Sequence, residues 1–357
     1  MERKAIQKSM PQTGEKISLE GAFSGKYRGF AVFLVCCALL IAAFAFSSIW
    51  LNRDGENWFL GEKGTEADEL PKEKVTSEQS NVGNGDTNAE LPQVIPDNAV
   101  PIISMDLSYL SLGTSYLHNE TVYTPNVSQL LSTPLSVPSS TDKPTVLILH
   151  THTSEGYLPS ETEYLTAPLG DVSYTRDAEQ NVLAVGETLC LVLNEKGITA
   201  IHCTVIHDDP TLSGSYARSA QTVKKYLETY PSIEYVIDLH RDSVITSSGE
   251  IVRSVTDTEL GATAQVMAVV GSDGNGTEFA HWEENLALAL QLRQCLNKNG
   301  AAVCRPVSLR NASFYQELAK HSLLLEIGTA ANSVEEAKRA AVLVGEALAE
   351  LIYSLEE

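Results

Sequence analysis

Basic residues are scarce in this sequence: 357 residues carry 25 Lys and Arg against 46 Asp and Glu, a formal net charge of -21. A nucleic-acid partner needs a basic face to neutralise its phosphates, so no nucleic acid is expected as a ligand. Cysteine is scarce too, at six. A disulfide scaffold is short and cysteine-dense, so this fold must rest on a core. Three chemical signatures are missing. No Gly-x-Gly-x-x-Gly follows the first strand-like run and no Gly-Lys-Ser/Thr loop occurs, which argues against dinucleotide and P-loop sites. No Gly-x-Ser-x-Gly elbow occurs, which argues against a serine hydrolase. What is present is 43% hydrophobic residues, enough for a core, in a chain whose averages hide three regions.

Residues 29–51, GFAVFLVCCALLIAAFAFSSIWL, run for 23 positions without a charge. At ~1.5 Å per residue this run crosses a ~30 Å hydrocarbon layer. A cleaved signal peptide has an apolar stretch of only ~7–15 residues ending in small side chains; here Phe46, Ile49, Trp50 and Leu51 hold the exit end. The run therefore reads as a transmembrane anchor. Arg3, Lys4, Lys8, Lys16, Lys26 and Arg28 precede it, which keeps residues 1–28 in the cytoplasm and sends the rest outside. Residues 52–142 read as an acidic linker. Between Asp54 and Asp97 there are 11 acids and 3 lysines, and no aromatic residue occurs between Phe59 and Tyr109. Such a segment buries too little to offset its ordering entropy. The stretch 100–142 is intermediate, with apolar clusters among Ser, Thr and Pro; it either packs on the domain or stays extended.

After Lys143 the pattern changes. TVLILH (145–150), TAIHCTV (199–205), EYVIDLH (234–240), QVMAVVG (265–271), AAVCRPV (301–307) and SLLLEIG (322–328) read as buried strands. Helical spacing fills 180–196, 214–229, 280–299 and 333–355. Strands alternating with helices of this length predict one α/β domain over 143–357, with a mostly parallel sheet flanked by helices.

In such sheets ligands bind beyond the carboxyl ends of the strands. Three apolar runs end in chemically loaded residues: His150-Thr151-His152-Thr153-Ser154-Glu155, then Asp238-Leu239-His240-Arg241-Asp242, then Glu326. Two His and a Glu are the ligand set of a catalytic zinc, with a further carboxylate for proton transfer. Each group alone has a plainer explanation. A histidine at a strand end is usually a hydrogen-bonded cap, Asp238 to Asp242 can be a local ion-pair cluster, and Glu326 can pair with an arginine. Their coincidence on one sheet edge favours the metal site. The cysteines at 190, 203, 295 and 304 fall at apolar positions and read as structural thiols.

With these residues in place the chain resembles a known family. LILHTHTSEGYLP (147–159), Asn181-Val182-Leu183 with Gly186, VIDLHRDS (236–243), VGSD (270–273), WEENLALAL (282–290) and LLLEIGT (323–329) occur in the order of the stage II sporulation protein P family. The likeness covers roughly residues 143–355. It implies a cell-wall hydrolase of endospore-forming bacteria, similar in fold to zinc-dependent N-acetylmuramoyl-L-alanine amidases. By the same resemblance the substrate is peptidoglycan, cleaved at stem-peptide amides and also at cross-links. Its setting is forespore engulfment, its partners stage II sporulation proteins D and M, and its anchor the cytoplasmic membrane.

Carried onto this sequence, the resemblance implies a Zn2+ held by His152, Glu155 and His240. His150 stays open as a rival ligand, and Glu179 and Glu187 as rival carboxylates. Glu326 is the implied general base, and Arg241 steadies an oxyanion or a substrate carboxylate unless it pairs with Asp238 or Asp242. The run Arg310-Asn311-Ala312-Ser313-Phe314-Tyr315-Gln316-Glu317 departs from the family's Arg-Tyr-Asn-Gln pattern, which bears on substrate contacts. The competing expectation is a catalytically silent wall-binding module of the engulfment complex.

Overall fold

The computed structural model describes Pro96 and residues 98–108, 116–135 and 143–354. The expected anchor at 29–51 lies outside these residues; among the described residues no helix is long and apolar enough to cross a membrane. In chain order the strands are β1 (Val100–Met105), β2 (Leu117–Asn119), β3 (Val146–Leu149), β4 (Tyr164–Leu165), β5 (Ala200–His202), β6 (Tyr235–Asp242), β7 (Ile251–Thr258), β8 (Gly261–Ala264), β9 (Val266–Val270), β10 (Val307–Leu309) and β11 (Ser322–Thr329). The helices are α1 (Val127–Ser132), α2 (Leu169–Val172), α3 (Val182–Glu195), α4 (Ser215–Thr229), α5 (Trp282–Leu296) and α6 (Val334–Ser354).

Seven strands form the main sheet in the order β2-β10-β9-β11-β6-β3-β5, and β4-β1-β7-β8 form a smaller one. Within the main sheet only β9 and β11 run antiparallel. The smaller sheet adds antiparallel β1–β4 and β7–β8 pairs. The main sheet is thus mostly parallel, as expected, and a second, smaller sheet makes the fold mixed α/β. The second sheet escapes the search for apolar runs because β7 is rich in Ser, Thr, Arg and Asp and β8 is a short Gly-Ala-Thr-Ala run that begins at Gly261 with φ +92°.

Two other sequence expectations change. The run 301–307 is strand only from Val307; Pro306 has no N–H for a ladder, and Cys304 makes a single bridge to Val266. The folded residues also begin upstream of Lys143. β1 lies between β4 and β7, β2 edges the main sheet beside β10, and Asn126 caps α1 by accepting from the Gln129 N–H. Part of the stretch 100–142 therefore packs into the fold.

Side-chain parity along the strands divides the core. Val146 and Ile148 of β3, Tyr235, Ile237 and Leu239 of β6, and Leu323, Leu325 and Ile327 of β11 cluster with α3, α5 and α6. Leu147, Leu149 and Val236 point the other way, to Val223 of α4. α3 buries Val182, Val185, Gly186, Leu189, Cys190 and Leu193, spaced three and four apart on one helical face. Asn181 starts it by accepting from the Leu183 N–H at 2.9 Å, a cap of ~1 kcal/mol. α6 opens with a reciprocal box: the Ser333 N–H donates to Glu336 Oε2 at 2.9 Å and the Glu336 N–H to Ser333 Oγ at 3.3 Å. All four described cysteines are free; Cys190, Cys203 and Cys304 are buried and Cys295 half-buried.

Candidate metal centre

Register brings the loaded residues together. Glu326 of β11 lies beside His240 of β6, and Leu149 of β3 beside Asp238, with neighbouring strands ~4.8 Å apart. Asp238, His240 and Glu326 have the parity of Val236, so they face α4 rather than α3. β3 ends at Leu149, and a turn over 151–154 carries the chain round so that His152 meets them. Asp238 ties this turn to β6: its carboxylate accepts from the Thr151 N–H and hydroxyl, both at 2.8 Å.

His152, Glu155 and His240 are buried, and one ligand atom from each lies within 4.8 Å of the others. His152 Nδ1 is 3.3 Å from Glu155 Oε1, and His240 Nδ1 is 3.3 Å from Glu155 Oε2. Charge-assisted hydrogen bonds shorten to ~2.7–2.9 Å, whereas donors ~2.0–2.1 Å from a tetrahedral zinc stand ~3.3 Å apart. His240 Nε2 lies 3.0 Å from Asp238 Oδ2, but without the alignment of a hydrogen bond. That nitrogen and Glu326 Oε2 are buried with no hydrogen-bond partner among the described residues. Two imidazoles and a carboxylate with this spacing fit a zinc ion, and Asp238 stands where a carboxylate orients a ligating imidazole.

Charge is concentrated here. Burial opposes the charge of Glu155, yet His240, His152 and Arg241 hold its carboxyl well below the usual range. Burial likewise opposes a charged His240, but Asp238 and Glu155 raise it well above the ordinary imidazole value. Glu326 goes the other way: burial, then the negative charges of Asp242 and Glu155, push it up to about 8. A carboxyl that holds a proton near neutrality suits proton transfer. Burial and the carboxylates of Asp238, Glu326 and Glu155 also raise the Tyr216 phenol well above its usual value.

The rival ligands fall elsewhere. His150 shares the parity of Val146 and Ile148 and lies on the α3 face. Its Nδ1 meets Leu239 O at 2.8 Å and its Nε2 meets His202 Nε2 at 2.9 Å. A Cβ at Gly186 would come within 2.7 Å of both rings, so any side chain there would force the rings or the helix to shift. Glu179 is exposed, and Glu187 faces His202 Nδ1 at 3.1 Å. Arg241 also points away from His240. Its guanidinium donates to the backbone carbonyls of Gly156, Ser173 and Asp242 and stacks over Tyr174. These three bonds tie the guanidinium to the loop that carries Glu155. In the 310–317 loop, Phe314 and Tyr315 adopt positive φ, and the Tyr315 hydroxyl meets Thr151 Oγ1 at 2.9 Å. Sequence reasoning passed over Tyr216, whose ring stands edge-on to His152 at 5.6 Å; an aromatic at a helix start looks like core.

Fold and site together define a mixed α/β protein with a buried His–Glu–His cluster at the carboxyl edge of its main sheet. The chain belongs to the stage II sporulation protein P family, whose family model matches residues 59–349. It is 30% identical over 228 residues to the stage II sporulation protein P of Bacillus subtilis (strain 168), covering 60% of this chain and 53% of that protein. The chain thus matches about half the length of this curated relative. Among solved structures, the N-acetylmuramoyl-L-alanine amidase of Clostridium difficile 630 is 15% identical, with a TM-score of 0.36 over 59% of this chain and 96% of that one. The catalytic domain of an N-acetylmuramoyl-L-alanine amidase from Bacillus (Paenibacillus) polymyxa var. colistinus is 13% identical, with a TM-score of 0.35 over 59% and 97%. Likeness at this level leaves the chemistry to be argued from the site itself.

Proposed function

We propose that the chain is a zinc-dependent peptidoglycan amidohydrolase that cleaves the amide joining the stem peptide to the glycan. What carries this reading is the buried His152, Glu155 and His240 cluster beside the unpartnered carboxyl oxygen of Glu326, in a member of a sporulation family. When bound, zinc supplies Lewis-acid chemistry, polarising a carbonyl and acidifying water. Glu326 takes a proton from the attacking water and returns it to the leaving amine, which its raised pKa suits. Glu155 and Arg241 act together to hold the site. The Arg241 N–H donates to Glu155 Oε2 at 3.0 Å while the guanidinium clamps the Gly156 and Ser173 carbonyls, so the ligand carboxylate is fixed in place.

The anchor at 29–51 places this chemistry outside the cytoplasmic membrane, within reach of the wall. Stage II sporulation proteins D and M are its partners in engulfment in this reading. The test incubates the full-length protein with purified sacculi, with and without zinc, and measures released stem peptides. Zinc-dependent release is expected; a zinc-loaded protein that releases none is a wall-binding module and not this enzyme.

A further inference from the structure

Tyr216, the second residue of α4, does something its neighbours do not. Other tyrosine hydroxyls around the centre are bonded: Tyr157 donates to Ile327 O at 2.8 Å, and Tyr315 meets Thr151 Oγ1 at 2.9 Å. The Tyr216 hydroxyl is buried and has no hydrogen-bond partner among the described residues. Buried polar groups are nearly always paired, so one left over beside a reactive centre calls for a partner that arrives later. Its ring is held in place edge-on to His152 at 5.6 Å, and against Tyr315 and Phe314 at 5.9 and 6.1 Å. Parity puts His240, Glu326 and α4 on the same face of the sheet.

We propose that Tyr216 is a catalytic residue whose hydroxyl donates a hydrogen bond to the oxyanion formed when water adds to the substrate amide carbonyl. The proposal rests on the amidohydrolase reading. The water oxygen bonds to the carbonyl carbon, the C=O π pair moves onto oxygen, and Glu326 takes the water proton. The C–N bond then breaks, the oxyanion pair re-forms the carbonyl, and Glu326 returns the proton to nitrogen. Tyr216 keeps its own proton throughout.

The test compares zinc-loaded full-length protein with its Tyr216→Phe variant in three measurements. On sacculi, kcat should fall ~10²–10³-fold with KM unchanged, the usual loss of one oxyanion donor. By calorimetry, a phosphinate pseudopeptide that mimics the tetrahedral intermediate should bind ~10-fold or more weakly to the variant. Bound zinc and Tm should not fall, because the hydroxyl makes no bond in the folded chain. Equal phosphinate affinity in the two proteins overturns the proposal and leaves the amidohydrolase reading standing. Loss of zinc or of Tm in Tyr216→Phe also overturns it, since the hydroxyl then has a structural role. A wild-type protein that cleaves no sacculi but binds phosphinate in a Tyr216-dependent way sinks the amidohydrolase reading and keeps the oxyanion contact. No phosphinate binding by the wild type sinks the contact.

Discussion

The carboxyl edge of the main sheet carries two histidine clusters, one on each face, and they differ in how completely their polar atoms are paired. On the α3 face His150 meets Leu239 O and His202, His202 meets Glu187, and Arg241 is bonded to three backbone carbonyls. On the α4 face His152 and His240 each stand 3.3 Å from Glu155, and His240 Nε2, Glu326 Oε2 and the Tyr216 hydroxyl are buried without hydrogen bonds among the described residues. A closed polar network specifies a shape; an open one, in a low-dielectric interior, leaves strong interactions to be made with something that binds. The same residue types are therefore closed into a network on one face and left open to a ligand on the other.

The largest effects should separate the two faces. His240→Ala removes one of three ligands and should leave the purified protein without stoichiometric zinc by elemental analysis, with peptide release at background. His150→Gln on the opposite face should keep its zinc. Retention by the first and loss by the second would reverse the comparison. Next in size is Glu326→Gln, which preserves shape but cannot accept the proton. Zinc should remain and turnover on sacculi should fall ~10²–10⁴-fold. A variant with near-normal turnover would remove Glu326 from the reaction.

How much of this comparison the sequence holds follows from parity. The residues that end three apolar runs identify the sheet edge, and His152, Glu155, His240 and Glu326 meet there. Arg241 is one position past His240 on an eight-residue strand, so alternation alone sends its side chain to the other face. That signal was in the sequence. The choice between His150 and His152 was not, because it depends on β3 stopping at Leu149, and nothing in Leu-His-Thr-His announces the stop. Tyr216 and the β7–β8 pair were hidden for related reasons. An aromatic at a helix start has the signature of packing, and a half-polar hairpin has no apolar run. In the bond network, Asp238 accepts from Thr151 across 87 residues, a link no local pattern can carry.

A smaller effect probes the closed face. Gly186→Ala places a Cβ within 2.7 Å of the His150 and His202 rings. Overpacking of this kind costs ~1–3 kcal/mol, offset by up to ~1 kcal/mol of helix propensity. Thermal unfolding should begin a few degrees lower while zinc content is unchanged. An unchanged Tm would mean that the histidine pair is loose, and the contrast between the faces would shrink.

The smallest effect concerns His321, which belongs to neither cluster and sits just before the amino end of β11. Burial holds its imidazole down at about 4, and Nδ1 has no hydrogen-bond partner among the described residues. The unfolded chain takes up this proton near pH 6.5. Between the two values the unfolded state binds more protons, so stability rises with pH by at most ~1.4 kcal/mol per unit. The contribution is full above pH ~6.5 and is lost as pH falls through about 4. His321→Asn suits the test, because the position has φ +56°, which asparagine tolerates. Urea midpoints measured at pH 7 and pH 5 should lie closer together in the variant than in the wild type. Equal spacing in both would mean that His321 contributes nothing to the acid sensitivity of this fold.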